Sequence, residues 1–399
     1  MQSSAGVVRS KHISDVADLA LRSPSRELHA WLRHGRGLIG WGEIARATFT
    51  GPDAMREGAA WFTEQVARVE VEDDVRRPGS GPIAFASGAF SPEREESVFI
   101  IPRAVLGRDE FGSWVTSLGE PPAIPDPFHA SDPGLVTYRD GAHGDDEWRA
   151  LVVDVVERIT RGDLDKAVLA RDVVASTEHP IDPRWLLERL TALYDSCWTY
   201  SVDGLIGATP ELLLRLSDGH VYSRVLAGTE WGEGAVERLR SPKNLEEHAY
   251  AAASAAASLE KVTIRLDIPG EPKILALPNV SHLATEIRGD VADGVTACDV
   301  AAAMHPTAAV GGTPTDIATR VIAEVEGRGR GRYAGPVGWI DANGNGEFGI
   351  ALRGGQLTGE RTMSLYAGCG IVAASDPQNE LAESENKLLA MKSALGNDY

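Results

Sequence analysis

From Cys197 to Thr229 the chain reads as a nearly unbroken series of short strands: WTYSV, LIGAT, ELLLRL and HVYSRVLAG. The Asp218-Gly219 pair between the last two is a hairpin-turn signal. A second series lies near the C-terminus, RYAGPVGWID, GNGEFGIALRGGQL and TMSLYAGCGIVAA, with turns expected at Asn343-Gly344 and Asn345-Gly346. LDKAVLARDVVAS reads as one more strand. Strands grouped this way exclude a regular βαβ alternation and predict a mixed α+β chain. Helices frame the groups. DDEWRALVVDVVERITRG puts Trp148, Leu151, Val152, Val155, Val156 and Ile159 at helical spacing and stops at Gly162. HPIDPRWLLERLTALYDS carries Pro183 and Arg184 in its first turn, and Ser241-Pro242 supplies an N-cap and N1 for PKNLEEHAYAAASAAASLEKV. The last helix, SDPQNELAESENKLLAMKSALG, has Pro377 early and Gly396 just past its end.

Composition narrows the class of protein. Of 399 residues, 43% are apolar and 24% charged, an ordinary globular balance that needs no disulfide or metal staple. Cys197, Cys298 and Cys369 are scattered without metal-ligand spacing, which suits a reducing cytosol, so a cytoplasmic protein is expected. MQSSAGVVRSKHISDV lacks an apolar segment after its basic residues, so no signal peptide is expected. No apolar run approaches the roughly 20 residues a membrane helix needs. With 39 Lys plus Arg against 58 Asp plus Glu, the net charge of −19 disfavours nucleic acid and anionic membranes as partners. An anionic substrate would therefore need a locally positive pocket. The proline- and glycine-rich stretch GEPPAIPDPFHASDPG, residues 119–134, reads as a loop dividing an N-terminal portion from the rest. There is no P-loop, GxGxxG, GxSxG or HExxH, and GRGRGRY at 327–333 only alternates glycine with arginine.

Several charged residues stand where apolar ones are expected. Lys166 leads the KAVLAR segment: it either snorkels to solvent or, if desolvated, loses basicity and becomes a usable general base. Glu211, after Pro210, and Arg353, in GIALRGG, are likewise charges beside apolar strand residues. On the last helix Glu380, Glu383 and Lys387 share one stripe, apart from Leu381, Leu388, Met391 and Leu395; a solvated face is the commoner reading of such a stripe. Glu247, in EEH, reads as surface by the same reasoning. His282 and His305 are compatible with hydrogen-bonded core histidines.

Taken jointly, DKAVLAR, GATPELLLRL, LAGT, SPKNLEEH, SHLATEIRG, MHPTAAVGGTP, YAGPVGWIDANGNGEFGIALR, YAGCGIVAASDP and ELAESENK resemble the chorismate-utilising enzymes, the family of isochorismate, salicylate, anthranilate and aminodeoxychorismate synthases. The likeness holds in family order over residues 160–390 and is only general over 1–140. It implies one large domain over 1–399, with an N-terminal portion (1–140) and a catalytic core (141–399). Mixed and antiparallel sheets with surrounding helices would enclose a deep central pocket.

By the same resemblance, Mg²⁺ holds the ring carboxylate of chorismate through Glu247 and Glu383, with Glu380 acting through a water; a hard cation that keeps waters suits such a set. Arg353 and Lys387 match the groups that hold the enolpyruvyl carboxylate, beside the backbone of Gly368 and Gly370. Gly228, Thr229, His282, Ala309, Tyr333 and Leu352 match substrate-site positions, whereas His305 looks structural. Lys166 matches the lysine that activates water, and Glu211 the acid that protonates the departing hydroxyl. Ala227 stands where aminodeoxychorismate synthases carry a nucleophilic lysine, which closes that covalent route. The activity implied is a Mg²⁺-dependent isochorismate synthase, an isomerase of menaquinone or siderophore biosynthesis, monomeric and without a glutaminase subunit. Salicylate synthase, which goes on to eliminate pyruvate, and a non-catalytic chorismate binder are the alternatives. Asn244 departs from the acid that relatives often carry there.

Overall fold

The computed structural model describes residues 6–232, 234–276 and 280–396, and within these not the side chains of Thr229, Trp231, Lys243, Glu247, Ala276 and Val280. Among the described residues, 21 strands join through continuous hydrogen bonding, and every pairing but one is antiparallel. The network has two arms that diverge from the long pair Arg36–Phe49 and Ser97–Asp109. One arm runs through Ile83–Ser87, Pro336–Asp341, Gly346–Ile350, Leu212–Ser217, His220–Trp231 and Val280–Val291. The other runs through Leu28–Arg33, Trp198–Val202, Leu205–Thr209, Gly354–Gly359, Thr362–Ile371 and Lys166–Thr177. The mixed α+β architecture is as expected from the grouped strands.

The arms face each other across an apolar layer that includes Trp31, Phe85, Ile100, Trp198, Tyr200, Leu212, Val337 and Trp339. Helices cover the outer faces. Asp145–Thr160, Ala297–Met304 and Thr315–Glu326 contribute to the largest core cluster, and Pro183–Leu193 packs with the last helix, Pro377–Leu395, in another. The expected cap is in place: Ser241 Oγ accepts from Asn244 N–H at the start of Pro242–Leu259. Asp376 caps the last helix, accepting from Gln378 and Asn379 ahead of Pro377. Asp218 and Gly219 both adopt left-handed φ (50° and 81°), as the hairpin signal requires.

Residues 119–134 carry no regular secondary structure. Strand pairing nevertheless crosses that loop, because Leu28–Arg33 pairs with Trp198–Val202 and Ile83–Ser87 with Pro336–Asp341.

Two local expectations are corrected. GNGEFGIALRGGQL is two strands, because the chain leaves one arm at Ile350 and enters the other at Gly354, with Arg353 at φ 49° between them. Asn345-Gly346 is no turn: Asn345 is buried, donates from its backbone N–H to Asp341 Oδ1 (3.0 Å) and accepts from Asp218 N–H (2.8 Å), and Gly346 opens a strand. Asn343-Gly344 alone turns the chain there.

Tyr200 fixes the split. Its ring passes Gly207 and Gly354, where any Cβ would collide with it, and its hydroxyl donates to the Leu352 carbonyl at 3.0 Å. Tyr200→Phe is expected to cost about 1–3 kcal/mol by stranding that carbonyl, read as a lower urea midpoint at unchanged m-value.

Candidate active site

Two short passages carry the chain directly from one arm to the other, and each holds a charged residue. From Thr209 to Leu212 it crosses through Pro210-Glu211; from Ile350 to Gly354 it crosses through Ala351-Leu352-Arg353. The passages are tied together. Ile350 N–H donates to the Glu211 carbonyl (3.1 Å) and Ala208 N–H to the Arg353 carbonyl (3.2 Å). Both residues are half-buried where the sheets separate.

Lys166 begins its strand as a half-buried residue, with its stem across the adjacent strand Thr362–Ile371. A Cβ on Gly370 would lie 2.8 Å from Lys166 Cε and 3.3 Å from Nζ, so glycine is what lets the lysine lie there. Burial raises the Glu211 carboxyl to about 7, opposed by the charges of Lys166 and Lys387. That places both lysines within electrostatic reach of one acid. Lys387 Nζ donates to the Gly368 carbonyl (2.7 Å) and pairs with Glu383 Oε1 (2.6 Å), which pins the last helix to the same strand. Lys166, Glu211, Arg353, Gly368, Gly370 and Lys387 therefore converge.

The stripe on the last helix is not a solvated face. Glu380, Glu383 and Lys387 are all half-buried. Oxygens of Glu380 and Glu383 lie, with Cys369 Sγ, within 4.8 Å of one another. Burial, reinforced by Glu383, raises Glu380 despite the hydrogen bond it accepts from Ser375 Oγ (2.7 Å). Burial also raises the Cys369 thiol to about 12, and its Sγ donates to the Glu380 carbonyl (3.3 Å), so it stays a neutral thiol. Two hard carboxylates without a thiolate suit Mg²⁺ rather than a soft metal. The side chain of Glu247 lies outside the described residues; its backbone belongs to Pro242–Leu259.

The remaining expected positions surround this group. Gly228, at φ 71°, sits in a bulge between Ala227 and Thr229, and Thr229 lies opposite His282. The Thr229 side chain is outside the described residues. Burial and the Arg353 charge lower His282 to about 4, which leaves it neutral at pH 7. Tyr333 is buried, with its hydroxyl 3.3 Å from where a Gly368 Cβ would be, and its ring stacks on Tyr366 at 4.9 Å. Leu352 is held through Tyr200. Ala309 joins through its neighbours: it lies in the turn closed by Gly311 N–H to Thr307 O, and Val168 N–H donates to the Gly311 carbonyl. His305 is half-buried, with Nε2 bonded to the Phe90 carbonyl (3.1 Å).

Sequence reasoning missed His248, which EEH disguised as surface. It is 2% exposed; its Nδ1–H donates to the Ala227 carbonyl (3.1 Å), and Nε2 is hydrogen-bonded with Thr285 Oγ1 (2.7 Å), bracing the Gly228 bulge from behind. Asn244 is buried and donates to Glu230 Oε1 (3.1 Å) and the Arg238 carbonyl (2.9 Å).

Residues 128–396 match the family model described as chorismate binding enzyme. The chain belongs to the chorismate-binding enzyme family. Among relatives, the isochorismate synthase DhbC of Bacillus subtilis is 36% identical over 274 residues, 64% of this chain and 69% of that one. The isochorismate synthase MenF of the same species is 29% identical over 377 residues, covering 84% and 79%. The solved structure of MenF, the menaquinone-specific isochorismate synthase from Escherichia coli, superposes with a TM-score of 0.76 over 98% of this chain and 95% of that chain at 23% identity, a likeness of fold. Lys166, Glu211, Arg353, Gly368, Gly370 and Lys387, which come together here, all lie in segments that carry the resemblance.

A carboxyl raised from 4.5 to about 7 by folding costs stability as it ionises, progressively between pH 4.5 and 7. Glu211→Gln removes that loss. Thermal melts should show the variant equal to the parent at pH 4 and more stable at pH 8; a parent that stays more stable at pH 8 contradicts the burial of this carboxyl.

Proposed function

We propose that this chain is a Mg²⁺-dependent isochorismate synthase that converts chorismate to isochorismate. The observation that carries the reading is a Glu211 whose carboxyl is raised to about 7 within electrostatic reach of Lys166, whose stem lies over Gly370. An acid that keeps its proton near neutrality donates to a leaving hydroxyl, and a lysine opposite accepts a proton from water. In its uncharged amine form, Lys166 takes a proton from water as the water oxygen bonds to ring C2. The ring double bonds shift, the C4–O bond breaks, and the hydroxyl leaves as water with the Glu211 proton. Each proton transfer contributes about 10²–10⁴-fold.

Arg353 and Lys387 bind the enolpyruvyl carboxylate, and neutral His282 and Tyr333 shape the ring site with Gly228, Thr229, Ala309 and Leu352. Glu247, Glu380 and Glu383 would hold Mg²⁺, which supplies positive charge to the ring carboxylate. Because water is the nucleophile, no glutaminase subunit is needed, and we take the enzyme to act as a cytoplasmic monomer. The relatives named isochorismate synthase support this reading over ammonia-using chemistry. No described helix is long and apolar enough to cross a membrane.

Purified protein with chorismate and Mg²⁺ is expected to yield isochorismate, seen by chromatography, and EDTA to abolish it. Lys166→Ala should lower kcat by about 10²–10⁴-fold with an unchanged circular dichroism spectrum, and kcat should fall as pH rises above about 7 with Glu211 deprotonation. Pyruvate and salicylate released in equal amounts would reassign the chain as a salicylate synthase.

A further inference from the structure

The strand that begins with Lys166 has an incomplete outer edge. Its inner edge pairs with Thr362–Ile371 from Ala167 to Ser176. On the outer edge, Val136–Asp140 covers residues 173–177 and Gly312–Thr313 covers 166–167, with Val168 N–H bonded to the Gly311 carbonyl. Between these short strands, the carbonyl of Val168 and the N–H of Ala170 are met by two charged side chains. Arg330 Nη2 donates to Val168 O (2.5 Å), and Glu326 Oε1 accepts from Ala170 N–H (2.8 Å). The two side chains are 2% and 1% exposed and pair with each other through two contacts, at 2.9 and 2.5 Å.

Arg330 also reaches two other parts of the site. Its Nη1 donates to the Val310 carbonyl (3.1 Å), next to Ala309, and its own carbonyl accepts from Tyr333 N–H (3.2 Å). The guanidinium lies 4.2 Å over the Phe90 ring, and Glu95 Oε1 accepts from the neighbouring Gly331 N–H (2.6 Å). One ion pair thus stands in for a missing length of strand and joins the Lys166 strand, the Ala309 turn and the Tyr333 turn. Apolar residues of similar volume can match a buried ion pair in stability. They cannot give Val168 a donor and Ala170 an acceptor. We propose that Glu326 and Arg330 are positioning residues for catalysis: they hold the backbone two to four residues from Lys166 so that its amine faces Glu211. The inference rests on the isochorismate synthase reading.

The test compares Glu326→Gln, Arg330→Lys and Arg330→Met with the parent in chorismate turnover and in hydrogen–deuterium exchange. Expected are a kcat about 10–100-fold lower with KM within about threefold, and faster exchange in a peptide spanning residues 166–171 while one spanning 186–190 is unchanged. Arg330→Lys should recover part of the kcat lost in Arg330→Met. Folded variants with kcat within about twofold of the parent, or with slowed turnover but unaltered exchange at 166–171, overturn the proposal. If Glu326→Gln does not fold, the two Arg330 variants carry both readouts. A parent that leaves chorismate unchanged refutes the proposed activity, while exchange still decides whether the pair holds the strand.

Discussion

The site depends on two adjacent passages of the chain from one sheet arm to the other, held by hydrogen bonds from Ile350 N–H to the Glu211 carbonyl and from Ala208 N–H to the Arg353 carbonyl. A continuous strand would satisfy its own ladder and bury these residues in the sandwich. Breaking both ladders at the same level opens the sheets and leaves two charges at the opening. The break demands close backbone approach. A Cβ on Gly349 would come within 2.9 Å of both the Glu211 carbonyl and the Trp31 ring, and one on Gly207 within 2.6 Å of Gly354. The glycines here are a packing requirement, not a flexibility device.

Much of the fold is legible in the sequence. Caps at Ser241 and Asp376, the hairpin at Asp218-Gly219 and the apolar spacing of residues 148–159 state their structure locally, because each is decided by neighbours within one or two turns. What is illegible depends on distant partners. Ile350-Ala351-Leu352 has the apolar character of a strand interior, and only the Tyr200 hydroxyl, 152 residues away, shows where the ladder ends. Asn345 resembles a turn residue until Asp218 claims its side chain.

The site divides the same way. Lys166, Glu211 and Arg353 stand out as charges among apolar residues, a contrast visible in the order of the amino acids alone. The stripe of Glu380, Glu383 and Lys387 does not, since helical spacing by itself favours a solvated face. His248 and the Glu326–Arg330 pair are hidden for a further reason. Each acts on backbone groups of another segment, and backbone groups leave no trace in a side-chain pattern. GRGRGRY shows its glycines plainly, yet the working residue is the arginine that closes a gap in a strand 162 residues away.

The charge of the whole chain, −19, makes the local balance the deciding matter for a dianionic substrate. Several groups near the opening carry no charge, or only part of one, at pH 7. His282 is lowered to about 4 and the Cys369 thiol raised to about 12, while Glu211 is raised to about 7 and holds its proton part of the time. Arg353 remains a fixed positive charge. Lys387 is engaged by Glu383 and the Gly368 carbonyl, and Glu380 adds a second carboxylate against that one lysine. Counted alone, the two carboxylates outweigh their lysine and would repel the ring carboxylate. On the proposed reading a divalent cation reverses that sign without adding a titrating group, and the burial that raises Glu380 becomes intelligible: a carboxylate kept partly desolvated gains most from a cation beside it.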